Sequence, residues 1–369
     1  MPSTPLPSPG DRALEALRDA VSARVLSSVA GLAGHFEPVG PEIAVQFDVA
    51  GVLLARGKRL RAAFAAAGWR CAGGADLTGP IVRAGSGLEL FQMAALVHDD
   101  LMDGSHTRRG LPAAHRQFAA LHTELAMLGD AENFGAAGAI LLGDLLLVAA
   151  TADLNGALDE VAEAARLRGR AIVEEMMAEV TIGQYLDIYA QSAPWSDDPR
   201  VDLDRARRVI RAKSARYSVE HPLALGAAMA GADEAAISQY RAIGLPVGEA
   251  FQLRDDVLGV FGDPAVTGKP AGDDLREGKR TVLVTLAMTR AAGADVTLLR
   301  GALGRADLDA DEVEEIRAIL TRSGALAQVE QLIQDRTDAG FAAIDAAGLP
   351  HDAVDWLQHL ARAAISRTA

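Results

Sequence analysis

The chain has 369 residues, 50% of them hydrophobic, with 36 basic and 50 acidic side chains and a formal net charge of −14. That length and apolar content suffice to bury a sizeable core, in one large domain or two smaller ones, and the acidic balance excludes a phosphate-backbone binder, which needs a basic face to displace counterions. Cys71 is the single cysteine, so an intrachain disulfide is excluded, a cysteine-ligated structural zinc is not expected, and a reducing cytoplasm fits best.

The opening "MPSTPLPSPG" has neither the basic start nor the apolar run of a signal peptide, and its prolines lead us to expect a disordered tail over residues 1–11. From residue 12 to 369, alanine and leucine recur at helical spacing and alternating Val/Ile segments are almost absent. This predicts a single all-α domain. The first helical stretch, "LEALRDAVSARVLSSVAGLAG" (14–34), is too apolar to stand alone on a surface and must pack on others. "RGKRLR" then places Lys58, Arg59 and Arg61 together. Singly, such cations read as a solvated helix face. The Gly-rich "AGGADLTGP" (72–80) marks a break.

Next comes "ALVHDDLMDGSHTRRG" (95–110). On a helix, Asp99 and Asp103 project from the same face about one turn apart, with Asp100 on the flank. Carboxylates so placed repel one another, and a hard divalent cation is the natural compensation, because Mg²⁺ takes one or two carboxylates and completes its octahedron with water and substrate phosphate. Arg108 and Arg109 follow with fork-shaped donors suited to phosphate oxygens. The apolar run "AILLGDLLLVAA" (139–150) is interrupted by Asp144 and falls short of the roughly 20 residues that cross a bilayer, so no stable membrane insertion is expected.

Further along, "RLRGRAIVEEMMAEV" (166–180) and "ISQYRAIGLPVGEAFQLRDDVLGVFG" (237–262) read as buried helices, separated by a break at "SAPWSDDPRVD" (192–202) and by the cations Lys213 and Arg216 of "KSARY". The second helix ends in Asp255 and Asp256, and the polar loop "GDPAVTGKPAGDDLREGK" (262–279) adds Asp263, Lys269, Asp273 and Asp274, with Lys279 and Arg280 at its end. If the two acidic helices face each other, their carboxylates share metal ions that grip one diphosphate from both sides. The loop is not a Walker A motif: five residues rather than four separate Gly262 from Gly268-Lys269, and Pro270 stands where Ser or Thr is needed.

In their order, "GKRLR" (57–61), "HDDLMDGSHTRRG" with Pro112 and His115, "LLGD" (141–144), "GQYLD" (183–187), "KSARYS" (213–218), "FQLRDD" (251–256) and "GKPAGDDLREGKRT" (268–281) resemble the trans-isoprenyl diphosphate synthases, also called polyprenyl synthetases. The resemblance implies the isoprenoid synthase fold, antiparallel helices around a deep central cavity, usually as a homodimer. It implies condensation of an allylic diphosphate with isopentenyl diphosphate, with three magnesium ions in the substrate-bound site. Carried over, Asp99, Asp103 and Asp255 would ligate the metal, with Asp100 and Asp256 in support. Arg108, Lys213 and Lys269 would hold the allylic diphosphate, and Lys58, Arg61, Gln92 and Arg109 the isopentenyl diphosphate. Ser214 and Gln252 would stabilise the allylic cation, while Gln184, Asp187 and Tyr217 would line the cavity. The released diphosphate would take the proton, so His98 and His115 are expected to be structural. One departure stands out: the family's second motif often ends in aspartate, whereas "DDVLG" has Gly259 there, and Asp263 or Asp273 would have to serve instead.

Leu88, Phe91, Ala95, Asp99 and Asp103 share a helix face, so the metal-bearing helix also forms the wall along which a hydrocarbon tail extends. Ala94 and Ala95 lie about one turn below Asp99, where family members making the fifteen-carbon product carry a bulky aromatic. Phe91, roughly 12 Å deeper, is the candidate floor. A twenty-carbon product, geranylgeranyl diphosphate, is expected, with farnesyl or longer chains as alternatives. Readings of another kind are a class I terpene cyclase and a non-catalytic subunit of a heteromeric synthase. The second-substrate cations count against the former and the intact first aspartate cluster against the latter.

Overall fold

Small residues at helix contacts set the architecture by letting backbones approach closely. The computed structural model describes residues 9–74, 76–263 and 272–366. In chain order the helices are α1 (Pro9–Phe36), α2 (Ala44–Leu54), α3 (Leu60–Cys71), α4 (Pro80–Met102), α5 (Ala114–Glu124), α6 (Ala131–Leu158), α7 (Glu163–Ser192) and α8 (Pro199–Val209). A π-helical segment, Ile210–Glu220, joins α8 to α9 (His221–Met229) and α10 (Glu234–Phe261). The chain closes with α11 (Asp273–Arg276), α12 (Val282–Arg290), α13 (Gly293–Ala302), α14 (Ala310–Arg322), α15 (Ala325–Ala346) and α16 (His351–Ile365). The only strands among the described residues are β1 (Thr107–Arg108) and β2 (Leu111–Pro112), an antiparallel ribbon between α4 and α5.

The all-α expectation is met, and the three long helices read from periodicity are α1, α7 and α10. Helix α1 begins at Pro9, so residues 9–11 of the expected tail are helical; residues 1–8 lie outside the described residues. One hydrophobic cluster draws on helices from α1 (Leu14, Leu17) to α16 (Leu357, Leu360). Pro246 sits inside α10, where it removes one ladder hydrogen bond.

Helix α6 corrects the estimate made from its apolar run. It spans 28 residues and is long and apolar enough to cross a membrane by length and composition. One face of it packs in the core and the other is exposed. Leu142, Leu146, Ala150 and Leu154 are buried, and Asp153 accepts hydrogen bonds from Arg24 (2.7 Å), Ser28 (2.7 Å) and Ser86 (2.7 Å).

Helices α3 and α9 cross at reciprocal glycines. A Cβ on Gly68 would meet the Leu223 carbonyl oxygen at 1.9 Å, and one on Gly226 the Ala65 carbonyl oxygen at 1.8 Å. Gly226→Ala should therefore destabilise the protein by about 2 kcal/mol or more, since backbone must move. Gly31→Ala, where a Cβ meets nothing within 4 Å, should stabilise it by up to about 1 kcal/mol through helix propensity. Chemical denaturation of both variants checks the opposite signs.

Candidate active site

Helix α4 carries an electrostatic problem at its C-terminal end. Asp99, Asp100 and the C-cap residue Asp103 crowd there, where the carbonyl end of the helix dipole already disfavours negative charge. The following ribbon brings a cation back. Arg109 (φ 54°) and Gly110 (φ 73°) form its two-residue turn, with both central residues left-handed as a tight hairpin requires. Arg108 thereby donates through Nε to Asp100 Oδ1 at 2.8 Å, and its Nη2 also bonds Asp100 and lies 3.5 Å from Asp99 Oδ2. Asp100 is 2% exposed, so this pairing is buried.

The second wall comes from α7 and the π-helical segment. Gly183 on α7 lets that segment approach so closely that a Cβ would lie 2.5 Å from the Lys213 backbone nitrogen. Lys213 Nζ then bridges Asp99 Oδ1 at 3.0 Å and Asp187 Oδ2 at 2.6 Å, while Gln184 Nε2 donates to Asp99 Oδ1 at 3.0 Å. π-Helical turns are rare and concentrate at functional sites. Ser214 follows Lys213 and is half-buried.

The third wall is α10 with the segment after it. Asp255 is exposed, whereas Asp256 is 5% exposed and accepts from Gln252 Nε2 at 2.8 Å. Lys279 links this side to α4: its Nζ lies 3.1 Å from Asp103 Oδ2, 3.7 Å from Asp274 Oδ1 and 2.5 Å from Glu277 Oε2. Ser105 donates to Glu277 beside it. Lys269 lies outside the described residues.

These contacts fix the protonation pattern. Burial alone would raise the Asp99 carboxyl, but Lys213, Lys279 and Arg108 outweigh it and hold it well below the usual carboxylate range. Burial pushes Asp103 up, with Asp99 and Glu277 adding to it against Lys279. Burial, with Asp274, Asp255 and Asp187 nearby, also raises Asp256 well above an ordinary aspartate. For Lys279 burial works the other way, yet Asp274, Asp99, Glu277 and Asp103 prevail and keep it protonated. The donor set suits a hard cation. It consists of carboxylate oxygens, and Asp103 Oδ1 and Asp256 Oδ2 are buried without a hydrogen-bond partner.

A separate cation group gathers at the start of α3. Arg59 adopts φ 51° and is buried, donating to Leu54 O at 2.6 Å and Ser22 Oγ at 3.0 Å, with Glu89 Oε2 at 3.6 Å. Arg56 donates to the Arg109 carbonyl at 2.9 Å and Arg109 to that of Arg56. Burial lowers the Arg109 pKa, and Arg108, Arg59 and Arg61 add to this against Glu89. Lys58 is exposed and Gln92 half-buried. Arg61 donates to Ser218 Oγ at 2.7 Å and lies 4.2 Å above the Tyr217 ring, which meets Phe91 edge-on at 5.4 Å. Ala94 is buried and Ala95 half-buried on the same helix.

Sequence reasoning left Lys279 unassigned, although the "GKRT" run was its signal, and it missed Ser105 and Glu277. It also grouped Arg216 with Lys213, but Arg216 points elsewhere. It bonds Glu175 (3.1 Å), Glu179 (2.6 Å) and Glu220 (3.0 Å), and Arg241 joins through Glu175 (2.6 Å) and Glu220 (3.1 Å). Glu175, Glu179 and His221 lie close enough to hold a metal, but the two arginines already balance these carboxylates, and we read the group as a structural lock. Two histidines were expected to be structural. His98 Nε2 lies 3.1 Å from Ile140 O, and burial lowers the His115 pKa.

The description "Polyprenyl synthetase" fits residues 47–320 as a family. The chain is 32% identical over 289 residues to a geranylgeranyl diphosphate synthase of Mycobacterium tuberculosis, covering 78% of this chain and 75% of that one. It is 30% identical over 280 residues to a geranylfarnesyl diphosphate synthase of Aeropyrum pernix, covering 76% and 80%. A crystal structure of geranylgeranyl pyrophosphate synthase from Corynebacterium glutamicum, complexed with isoprenyl diphosphate and magnesium, superimposes with a TM-score of 0.89 at 36% identity, covering 97% of this chain and 99% of that one. The all-α architecture is thus the isoprenoid synthase fold, and the chain belongs to the polyprenyl synthetase family.

Proposed function

We propose that this chain condenses an allylic diphosphate with isopentenyl diphosphate, head to tail and with magnesium, to give an all-trans polyprenyl diphosphate, and that its product is geranylgeranyl diphosphate. One observation carries the reading. Carboxylates remote in sequence converge on shared ammonium groups, Asp103 and Asp274 on Lys279 and Asp99 and Asp187 on Lys213.

Ionising the allylic substrate costs charge separation, and preorganised positive groups around the leaving diphosphate lower that cost. Asp99, Asp103 and Asp255 would hold magnesium, which would supply positive charge beside the leaving diphosphate. Lys213 and Arg108 add fixed donors from two further elements. Asp100 supports the first wall through Arg108, and Asp256 the third through Gln252. Because the Gln252 amide nitrogen is engaged by Asp256, its carbonyl oxygen remains as the negative dipole end for the allylic cation, and the Ser214 hydroxyl is the second group assigned to that cation. Lys58, Arg61, Gln92 and Arg109 then hold isopentenyl diphosphate so that its double bond reaches that cation. Arg59, between Lys58 and Arg61, and Arg109 itself adopt left-handed backbone, strain of a kind that collects at functional sites.

We read residues 12–369 as one domain working as a cytoplasmic homodimer. Exposed apolar side chains along α6 (Ile140, Leu141, Val148) and α7 (Ile182, Tyr185, Tyr189) support a self-association face.

The assay that tests the function supplies Mg²⁺, isopentenyl diphosphate and allylic primers of five, ten and fifteen carbons, and reads product length. Geranylgeranyl diphosphate is expected. Cyclic hydrocarbon without elongation would indicate a cyclase, and turnover only with an added partner would indicate a subunit. Ala95→Phe should shorten the product and Phe91→Ala lengthen it; unchanged length in both removes the helix-wall ruler. Because Phe91 also supports Tyr217 under Arg61, a Phe91→Ala effect confined to the KM for isopentenyl diphosphate would assign Phe91 to the second-substrate site instead.

A further inference from the structure

The second acidic motif lacks its final carboxylate, because Gly259 stands where the family often has aspartate. The space that side chain would occupy is filled from elsewhere. A Cβ built on Gly259 would lie 1.8 Å from Asp274 Oδ2 and 2.5 Å from Asp274 Cγ, so residue 259 and the Asp274 carboxylate exclude one another.

The backbone that carries Asp274 is held in place. Its helix, α11, is anchored by the fully buried Leu275, whose carbonyl accepts from Gly304 N at 2.9 Å, and by Arg276, which donates to Leu308 O at 3.1 and 3.0 Å. The Asp274 side chain is 16% exposed and shares Lys279 with Asp103. Its carboxylate thus faces the first aspartate wall from the side of α10, whereas Asp263 is exposed.

We propose that Asp274 supplies the carboxylate that Gly259 gave up, so that the metal ligands of the third wall are Asp255 and Asp274, and that Gly259 is the residue making room for it. This rests on the diphosphate and magnesium reading of the site. Its consequence is counterintuitive: restoring the family's usual aspartate at 259 weakens metal binding, because the new side chain evicts Asp274.

The test is a Mg²⁺ titration at fixed inorganic pyrophosphate, read by calorimetry. It compares the wild-type chain with Asp274→Asn, Gly259→Asp and the double variant Gly259→Asp/Asp274→Gly, each first checked for its helical circular dichroism. Asp274→Asn should lose about 10-fold or more in metal affinity, and Gly259→Asp should lose a comparable amount. The double variant, which removes the clash and keeps one carboxylate in the space, should recover most of the loss even if Gly259→Asp alone folds poorly. Wild-type affinity in Asp274→Asn, affinity at or above wild type in Gly259→Asp, or a double variant no better than Asp274→Asn would overturn the inference. Absence of pyrophosphate-dependent Mg²⁺ binding in the wild-type chain would overturn the proposed function along with it.

Discussion

Everything at this site follows from a concentration of negative charge that the fold must hold together. Asp99, Asp100 and Asp103 share the C-terminal end of one helix, while Asp187, Asp256 and Asp274 approach from three other elements. Carboxylates gathered this way repel strongly in a buried setting. The chain answers with cations set between them rather than around them: Arg108 at Asp100, Lys213 between Asp99 and Asp187, Lys279 between Asp103 and Asp274. The same disposition of charge grips a polyanion when hard cations accompany it, so the solution to the folding problem and the means of leaving-group stabilisation are one arrangement.

Around this centre the supporting structure is polar and paired. Glu175, Glu179 and Glu220 are tied by Arg216 and Arg241 into a lock between α7, the π-helical segment and α10. Burial alone would raise Glu175 and Glu179, but hydrogen bonds from Arg241, His221 and Arg216 outweigh it and keep both ionised. The lock acts one turn away from Lys213 along the chain and holds in register the segment that delivers it.

Much of this was legible in the residues. Alanine and leucine at helical spacing gave the long helices, and the aspartate clusters with their neighbouring cations pointed to a metal and diphosphate site before any coordinates. What was not legible depends on backbone register and on contacts remote in sequence. Nothing in "KSARYS" distinguishes a π-helical turn from an α-helical one, so Arg216 was grouped with Lys213 although the two face different partners. The left-handed backbone at Arg59 and Arg109 is invisible in composition, since arginine rarely adopts it. Lys279 had only the "GKRT" run as a local signal, and its importance appears only when α4 and the α11 segment are brought together. The glycine at 259 read as a deficit because the carboxylate facing it comes from another helix.

The π-helical segment has a consequence for how this sequence tolerates change. Each residue of an α-helix turns the chain by about 100°, so a wide turn stores surplus residues that a normal turn would not hold. Between Ile210 and Glu220 the count of residues therefore matters as well as their identity. Deleting one would let the backbone tighten into an ordinary helix and swing Lys213 relative to Tyr217 and everything that follows.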